Sequence, residues 1–417
     1  MTFQKPNITM TNQDVQPGDF QLEQIFGSKQ PTSTSILLQN WDKCIFRADF
    51  PDTSPSLVIR LEAEDGDSEA FAIVAAMQDI ARTVLLELVP QTLKVGKVKN
   101  SNGRAFHFSV IEHVEGELLQ DVWEKMRKED RISIVAEIAS VAEKLQSVGI
   151  GDDEPQRLLS SVLHGSERTL VQTPGSFGGP STGFLRSGID FLSGILERRK
   201  LKKEFCTIIL HPSHENLHGD IVVSSYKDLG APGIIGIYKS EIEQWPEDAI
   251  LCHNDLTPRN IIVKSLVNYN GTVRYKLAGI IDWELAGFYP ASYELSLQDT
   301  YLSGGNRHIS FYLLLKEHMA KLVPRTSSQI VLLQAMELIW ESQQRCLFES
   351  HNIPANIRKR FLEIGGLVRD ENPYIGWRSR ENKVFEIDSV SAQKLEDDVI
   401  EAMNSGWHEE VSLNDLG

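Results

Sequence analysis

Hydrophobic and polar residues are interleaved over short runs in the first part of the chain and recur at helical spacing through most of the rest. SILLQN, CIFRADF and SLVIRLE, at residues 35–40, 44–50 and 56–62, are short runs of mixed apolar and polar residues, which read as strands. DTSPS at 52–56 supplies the turn between the last two. From about residue 68 the period changes. Ile73, Met77, Ile80 and Ala81 recur on one face of a helix. TLKVGKV and AFHFSVIEHV then read as a hairpin with Asn102 and Gly103 at its tip.

Further on, EDRISIVAEIASVAEKLQSV places Ile134, Ile138, Val141 and Leu145 on one buried helical face. Residues 182–197, 328–350 and 357–364 continue the helical pattern. Between these stretches, 171–245 reads as a long insert. Residues 1–31 are polar and irregular, with Pro6, Pro17, Gly18 and Pro31, and read as an extension. The pattern predicts an α+β chain: the extension at 1–31, a small β-rich unit at 32–114, a larger helical unit at 115–380 and an acidic tail at 381–417. At 417 residues the chain suits two compact units better than one.

Composition adds exclusions. The hydrophobic fraction of 41% is ordinary for a soluble protein. MTFQKPNITM has no basic segment followed by an apolar run, so no secretory leader is expected. No apolar stretch is long enough for a membrane span, so no membrane partner is expected. Cys44, Cys206, Cys252 and Cys346 are scattered without a C-x-x-C pair, which suits reduced thiols in a cytoplasmic protein. A formal charge of −16 argues against nucleic acid as a partner. Half of it lies in residues 381–417, where ten acidic residues face two basic ones. The plain reading is a solvated tail with one amphipathic helix near 391–403. The sharper one is an acidic lid that draws in a cationic small molecule.

The chemistry concentrates in two blocks, LCHNDLTPRNIIV and IIDWELAGFYP. Asp255 is followed five positions later by Asn260, and Asp282 ends a later run, TVRYKLAGII. NIIVKSL and TVRYKLAGII read as paired strands joined by the turn NYNG, which sets Asn260 at the start of one and Asp282 at the end of the other. One carboxylate to receive a proton, with an amide and a second carboxylate as hard oxygen ligands, is the set that phosphoryl transfer from a Mg²⁺-bound nucleotide requires.

HNDLTPRN resembles the H-x-D-x-x-x-x-N catalytic loop of the kinase superfamily. With Pro before the Arg-Asn pair and IIDWE in place of Asp-Phe-Gly, it resembles the aminoglycoside phosphotransferase and choline-kinase-like family, in particular its fungal-type domains. The resemblance implies a two-lobed protein-kinase-like fold with a β-rich N-lobe at 32–114 and a helical C-lobe at 115–380. It implies ATP and Mg²⁺ as cofactors and a small-molecule hydroxyl as acceptor. By it, Asp255 is the catalytic aspartate, His253 braces the loop, and Asn260 and Asp282 hold the metal. Arg60, mid-strand among apolar neighbours, falls where kinases place the phosphate-binding Lys and offers a bidentate fork. FHFSVIEHVEGELL resembles the hinge, so the backbones of Glu112 and Val114 are expected at the adenine edge.

Two departures stand against that pattern. Ile73 occupies the position expected of the helix glutamate that pairs the strand cation, leaving Glu69, one turn earlier, as the candidate partner of Arg60. The nucleotide-covering loop is Trp41-Asp42-Lys43 without glycine, so Lys43 would supply charge where open backbone amides usually do. These departures motivate the alternative of a catalytically weak or inactive pseudokinase that binds nucleotide or acts as a scaffold. HENLH at 214–218 matches a zinc-hydrolase string, but Pro212 and Gly219 leave little room for its helix. His218-Gly219-Asp220 has Ser225 where Asn is needed. GSFGG at 175–179 reads as a loop beside the helical unit rather than a phosphate loop. Trp283, Tyr289 and Pro290 read as packing residues. Glu284 reads as a loop-orienting or second-sphere group, and Glu294 as a partner for a buried arginine.

Overall fold

The structure, a computed structural model, describes residues 15–51, 54–64, 69–210, 219–225, 233–267, 271, 273–381, 384 and 386–414, without the side chains of 69, 70 and 406–414. The turn at 52–53, the zinc-like string at 214–218 and the turn residues 268–270 lie outside the described residues.

Helix α1 (Asp19–Phe26) precedes strands β1 (Ser33–Gln39), β2 (Lys43–Asp49) and β3 (Leu57–Ala63), helix α2 (Glu69–Val84), and strands β4 (Thr92–Lys99) and β5 (Ala105–Glu112). The strands form one antiparallel five-stranded sheet in the order β1-β2-β3-β5-β4. Alternation along β2 buries Cys44, Phe46 and Ala48, and along β3 Ile59 and Leu61, because successive side chains point to opposite faces. Arg60 therefore emerges on the other face from Ile59 and Leu61. The sheet has its own core, and residues 15–26 belong to it: Val15, Leu22 and Ile25 are buried against Phe46, Phe106 and Phe108. The polar surroundings of α1 hid those apolar residues in the sequence.

The chain then passes through Glu112–Val114 to β6 (Glu117–Leu118), α3 (Leu119–Val122), α4 (Lys128–Leu145), α5 (Asp153–Val162) and α6 (Gly165–Val171). The segment expected as an insert holds β7 (Phe177–Gly179), β8 (Gly183–Leu185), α7 (Gly188–Arg198), β9 (Cys206–Leu210), β10 (Ile221–Ser225), β11 (Ile234–Ile237) and α8 (Lys239–Ile242). The helix expected from 182 starts at Gly188, after the β7–β8 hairpin. Strands of three to five residues leave too little alternation to be read. The site-bearing strands follow: β12 (Ala249–Cys252), β13 (Ile261–Val267), β14 (Val273–Ile280) and β15 (Gly287–Pro290). Helices α9 (Ala291–Tyr301), α10 (Ile309–Met319), α11 (Ser327–Glu349) and α12 (Ile353–Ile364), the pair β16 (Leu367–Arg369) and β17 (Trp377–Ser379), and α13 (Ser389–Asn414) complete the chain. The N-terminal region is thus rich in sheet and the C-terminal region helical.

The larger core takes the buried faces predicted for α2 and α4. Met77 and Ile80, with Ile134, Ile138 and Leu145, are fully buried in it. The tail helix α13 docks on α12 through Ala392 and Leu395. Gly116 forms the passage between the regions. Its φ of 146° is one that L side chains rarely adopt, and a Cβ there would lie 2.6 Å from the Val263 carbonyl. No described helix is long and apolar enough to cross a membrane. Cys44, Cys206 and Cys252 are buried thiols, and Cys346 is half-buried.

Candidate active site

Two antiparallel ladders bring the motif blocks together. On one side β12 pairs with β15, with Cys252 opposite Gly287. On the other β13 pairs with β14, with Ile261 opposite Ile280. The loops 253–260 and 281–286 run between them and must lie side by side. The Ile281 N–H donates to the Asn260 carbonyl at 2.9 Å. His253 Nε2 lies 3.1 Å from the Ile281 carbonyl and its Nδ1 accepts from the Asp255 N–H at 3.2 Å. His253 therefore carries its proton on Nε2 and ties one loop to the other. Burial pushes its pKa down to about 4, so it stays neutral and keeps both bonds. Trp283 packs edge-on against the His253 ring at 4.5 Å and is buried, as expected of a packing residue.

Glu294 of α9 is not paired with a buried arginine. Its Oε1 accepts from the His253 and Asn254 N–H groups at 3.0 and 2.8 Å. Burial raises its pKa to about 7 against the pull of those bonds. One helical turn pair further along α9, the Tyr301 hydroxyl donates to the Asn254 carbonyl. Asn254 and Asp282 both adopt left-handed backbone, at φ 62° and 64°. Non-glycine residues are rarely held there except where the surroundings over-determine them.

Asp255 is nearly buried, with one oxygen held and one unpartnered. Its Oδ2 accepts from Arg259 at 2.9 Å. Its Oδ1 is buried without a partner. Asn260 donates Nδ2 to the Asp255 carbonyl at 3.0 Å, which leaves its Oδ1 as the atom free to act as ligand. Asp282 is pushed up to about 6, first by burial and then by the charge of Glu284, with Asp255 adding to it.

The cations of the β-rich region reach the same place. Arg60 lies 2.7 Å from Glu284 and 3.9 Å from Asp282, and donates Nε at 3.0 Å to Glu62. Lys43 lies 3.7 Å from Glu284. The glycine-free turn that carries it is held by Asn40, whose Oδ1 accepts from the Lys43 N–H at 2.7 Å. The Glu69 side chain lies outside the described residues. From α2 it is Phe71 that meets Arg60, with the guanidinium 5.3 Å from the ring centre, while Ile73 is buried in the larger core. The sequence reads Glu284 as a loop-orienting or second-sphere group. As a partner of both Lys43 and Arg60 it gave no sequence signal, because the pairing depends on the loop lying under β3.

Glu112 and Val114 sit on the connection between the regions. The Glu112 and His113 N–H groups are taken by the Gln91 and Ser56 carbonyls, at 3.1 and 3.2 Å. Glu112 Oε2 accepts from the Gln91 N–H at 2.9 Å. Val114 packs over Gly279 of β14, where a Cβ would come within 2.7 Å of it. GSFGG proves to be a close-packing strand: Gly178 pairs with Phe288 of β15, and a Cβ on Gly179 would lie 2.6 Å from the Ala286 carbonyl. Asp220 receives the Lys239 N–H at 2.8 Å, a role in holding a turn, and His218 lies outside the described residues. Tyr289 is buried, with its hydroxyl 2.7 Å from Thr182 Oγ1.

The donor set suits a hard divalent ion. Asp282 is a carboxylate whose pKa the nearby Asp255 charge helps raise, and the Asn260 amide adjoins Asp255. Among the described residues no group of three Asp, Glu, His or Cys side chains converges on one point. An ion here would need the Asn260 oxygen and phosphate oxygens to complete its shell.

The sequence profile of the phosphotransferase enzyme family (APH) matches residues 51–298, a span that includes Arg60, Asp255, Asn260, Asp282 and Glu294. No curated protein matches the chain. Similar solved structures include a thermostable mutant of aminoglycoside phosphotransferase APH(4)-Ia in ternary complex with AMP-PNP and hygromycin B. It is 15% identical and covers 82% of this chain and 97% of that one, at a TM-score of 0.40. Spectinomycin phosphotransferase APH(9)-Ia, in complex with ADP and spectinomycin, is 12% identical, covering 85% and 95% at 0.35. Plasmodium vivax ethanolamine kinase is 14% identical, covering 80% and 76% at 0.32.

Proposed function

The chain belongs to the phosphotransferase enzyme family, and we propose that it transfers the γ-phosphate of ATP to a hydroxyl of a small molecule. The observation that carries this reading is the unpartnered, buried Oδ1 of Asp255, set beside Asn260 and within electrostatic reach of Asp282.

In this mechanism Asp255 Oδ1 accepts a hydrogen bond from the acceptor hydroxyl and takes its proton as the oxygen attacks the γ-phosphorus. The bond from that phosphorus to the β,γ-bridging oxygen breaks, and ADP leaves with the electron pair. His253 and Glu294 act on Asp255 only through the loop that they hold. Arg60 and Lys43 face the phosphates from above, and Arg259 offsets charge beside Asp255. Glu284 keeps Arg60 aimed at the site, the role expected of a helix glutamate. Asn260 and Asp282 would hold Mg²⁺, which when bound neutralises charge on the phosphate oxygens. The backbone of Glu112 and Val114 would meet the adenine edge.

Asp255→Asn keeps the shape but removes the proton acceptor. Transfer should fall on the order of 10²- to 10⁴-fold while calorimetric ATP binding is retained. Unchanged turnover in this variant would remove the role. The pseudokinase reading draws on the pairing of Arg60 and Arg259 with the site's own carboxylates. Saturable ATP binding with no ADP formed across a broad acceptor panel would favour it.

A further inference from the structure

Away from Arg60 and Lys43, Arg199 has no carboxylate partner among the described residues. Arg199 follows α7, and its guanidinium lies 4.3 Å from the centre of the Trp340 ring on α11. The groups that act on its charge are Tyr293, Tyr301 and Arg198. Tyr301 is the residue whose hydroxyl donates to the Asn254 carbonyl, next to Asp255. Tyr301 thus feels the charge of Asp255 and acts in turn on that of Arg199.

Arg199 is exposed to solvent, yet desolvation by surrounding protein lowers its pKa. Its guanidinium is thus reachable from solvent on one side and packed on the Trp340 ring on the other. The indole beneath it is 7% exposed, and its Nε1–H has no partner. An indole N–H and a guanidinium are both donors only. Placed together with no acceptor, they leave a buried donor unsatisfied, which is costly unless a ligand supplies acceptors. On α9, between Glu294 and Tyr301 on one helical face, Gln298 is 1% exposed with both amide atoms unpartnered. It offers a donor and an acceptor suited to hydroxyl groups.

We propose that Arg199 and Trp340 form an anion subsite for the phosphoryl acceptor, which is therefore a hydroxylated small molecule bearing a carboxylate or a phosphate. This rests on the phosphotransferase reading above. The anionic group sits on the guanidinium and the indole N–H, and the molecule extends past Tyr301 to present a hydroxyl to Asp255 Oδ1. A cationic acceptor drawn in by the acidic tail is the opposing outcome.

The test uses the full chain with Mg²⁺ and AMP-PNP, titrated calorimetrically with glycerate, glycerol 3-phosphate, glycerol and choline. At least one of the two anions should bind about ten-fold tighter or more than glycerol and choline, the scale of a charge-assisted hydrogen bond. Their order separates a carboxylate site from a phosphate site. Arg199→Ala should abolish the margin and Arg199→Lys should keep part of it. Trp340→Phe keeps the ring but removes the N–H. It should weaken the anions alone, which guards against a folding defect in the alanine variant. Equal affinities, tightest binding of choline, or a margin that survives Arg199→Ala overturns the subsite. Turnover with Mg²⁺ and ATP separates the two claims. Anion binding without ADP formation leaves the subsite and removes the transferase reading. ADP formation with glycerol or choline but with neither anion does the reverse.

Discussion

Arg259 holds one oxygen of Asp255 and the other is unpartnered, and in the proposed transfer the residues behind Asp255 decide how firmly it stays there. Glu284 is the most consequential of the residues whose contacts were not legible. Its string, DWE, was plain in the sequence, but its pairing with Arg60 at 2.7 Å exists only because loop 281–286 passes under β3. Glu284→Gln removes the charge that keeps Arg60 in place. The ATP dissociation constant, measured by calorimetry, should rise on the order of ten-fold, while one equal to wild type would leave Arg60 positioned by Glu62 alone. Glu294 was visible as an acid after the motif and was assigned the wrong partner, because backbone N–H groups leave no mark in a sequence. Its raised pKa also sets a pH dependence. Between the ordinary value of 4.5 and about 7, the unfolded chain has released this proton and the folded chain retains it. Glu294 therefore lowers stability as pH rises through that window, by at most about 1.4 kcal/mol per pH unit. Glu294→Gln preserves the accepting oxygen and lacks the titration. In urea unfolding from pH 5 to pH 8, the stability of wild type relative to this variant should decline. A constant difference would contradict the assignment.

Elements were legible where their period was long enough. Strands β1, β2, β3, β13 and β14 and helices α2 and α4 follow directly from alternation or helical spacing, and the last two strands deliver Asn260 and Asp282 to adjacent positions. The short strands β7 to β11 were not, since three to five residues carry almost no periodic signal. Nor was α1, whose three buried residues sit among polar ones. The segment between the two regions resembles a hinge in sequence, but its tight fit left no signal there. Gly116 combines a φ that disfavours any side chain with a Cβ position 2.6 Å from the Ile262 Cγ2 atom and the Val263 carbonyl. Gly116→Ala should lower stability by about 1–3 kcal/mol from strain and overpacking, read as a shift in the denaturation midpoint. A midpoint equal to wild type would mean that the passage yields freely.

At the scale of the whole molecule, a small sheet with its own core supplies Lys43 and Arg60 from above, while a helical body holds Asp255, Asn260 and Asp282 from below. This division was legible because the order of strand and helix signals is itself a fold signature. The proposed acceptor subsite was not, because Arg199, Trp340 and the α9 residues Gln298 and Tyr301 come from three separate segments of the chain. A ligand that bridges the two halves stabilises the whole chain by mass action, so the central claim is tested most directly by thermal unfolding with ATP, with and without Mg²⁺, in wild type and Asp282→Asn. The wild-type midpoint should rise on the order of a few degrees with Mg²⁺ and ATP together at about 100-fold excess over the dissociation constant, a rise largely lost without Mg²⁺ and in the variant. Equal stabilisation of the two proteins, indifferent to Mg²⁺, would contradict a metal-bound nucleotide held between Asn260 and Asp282.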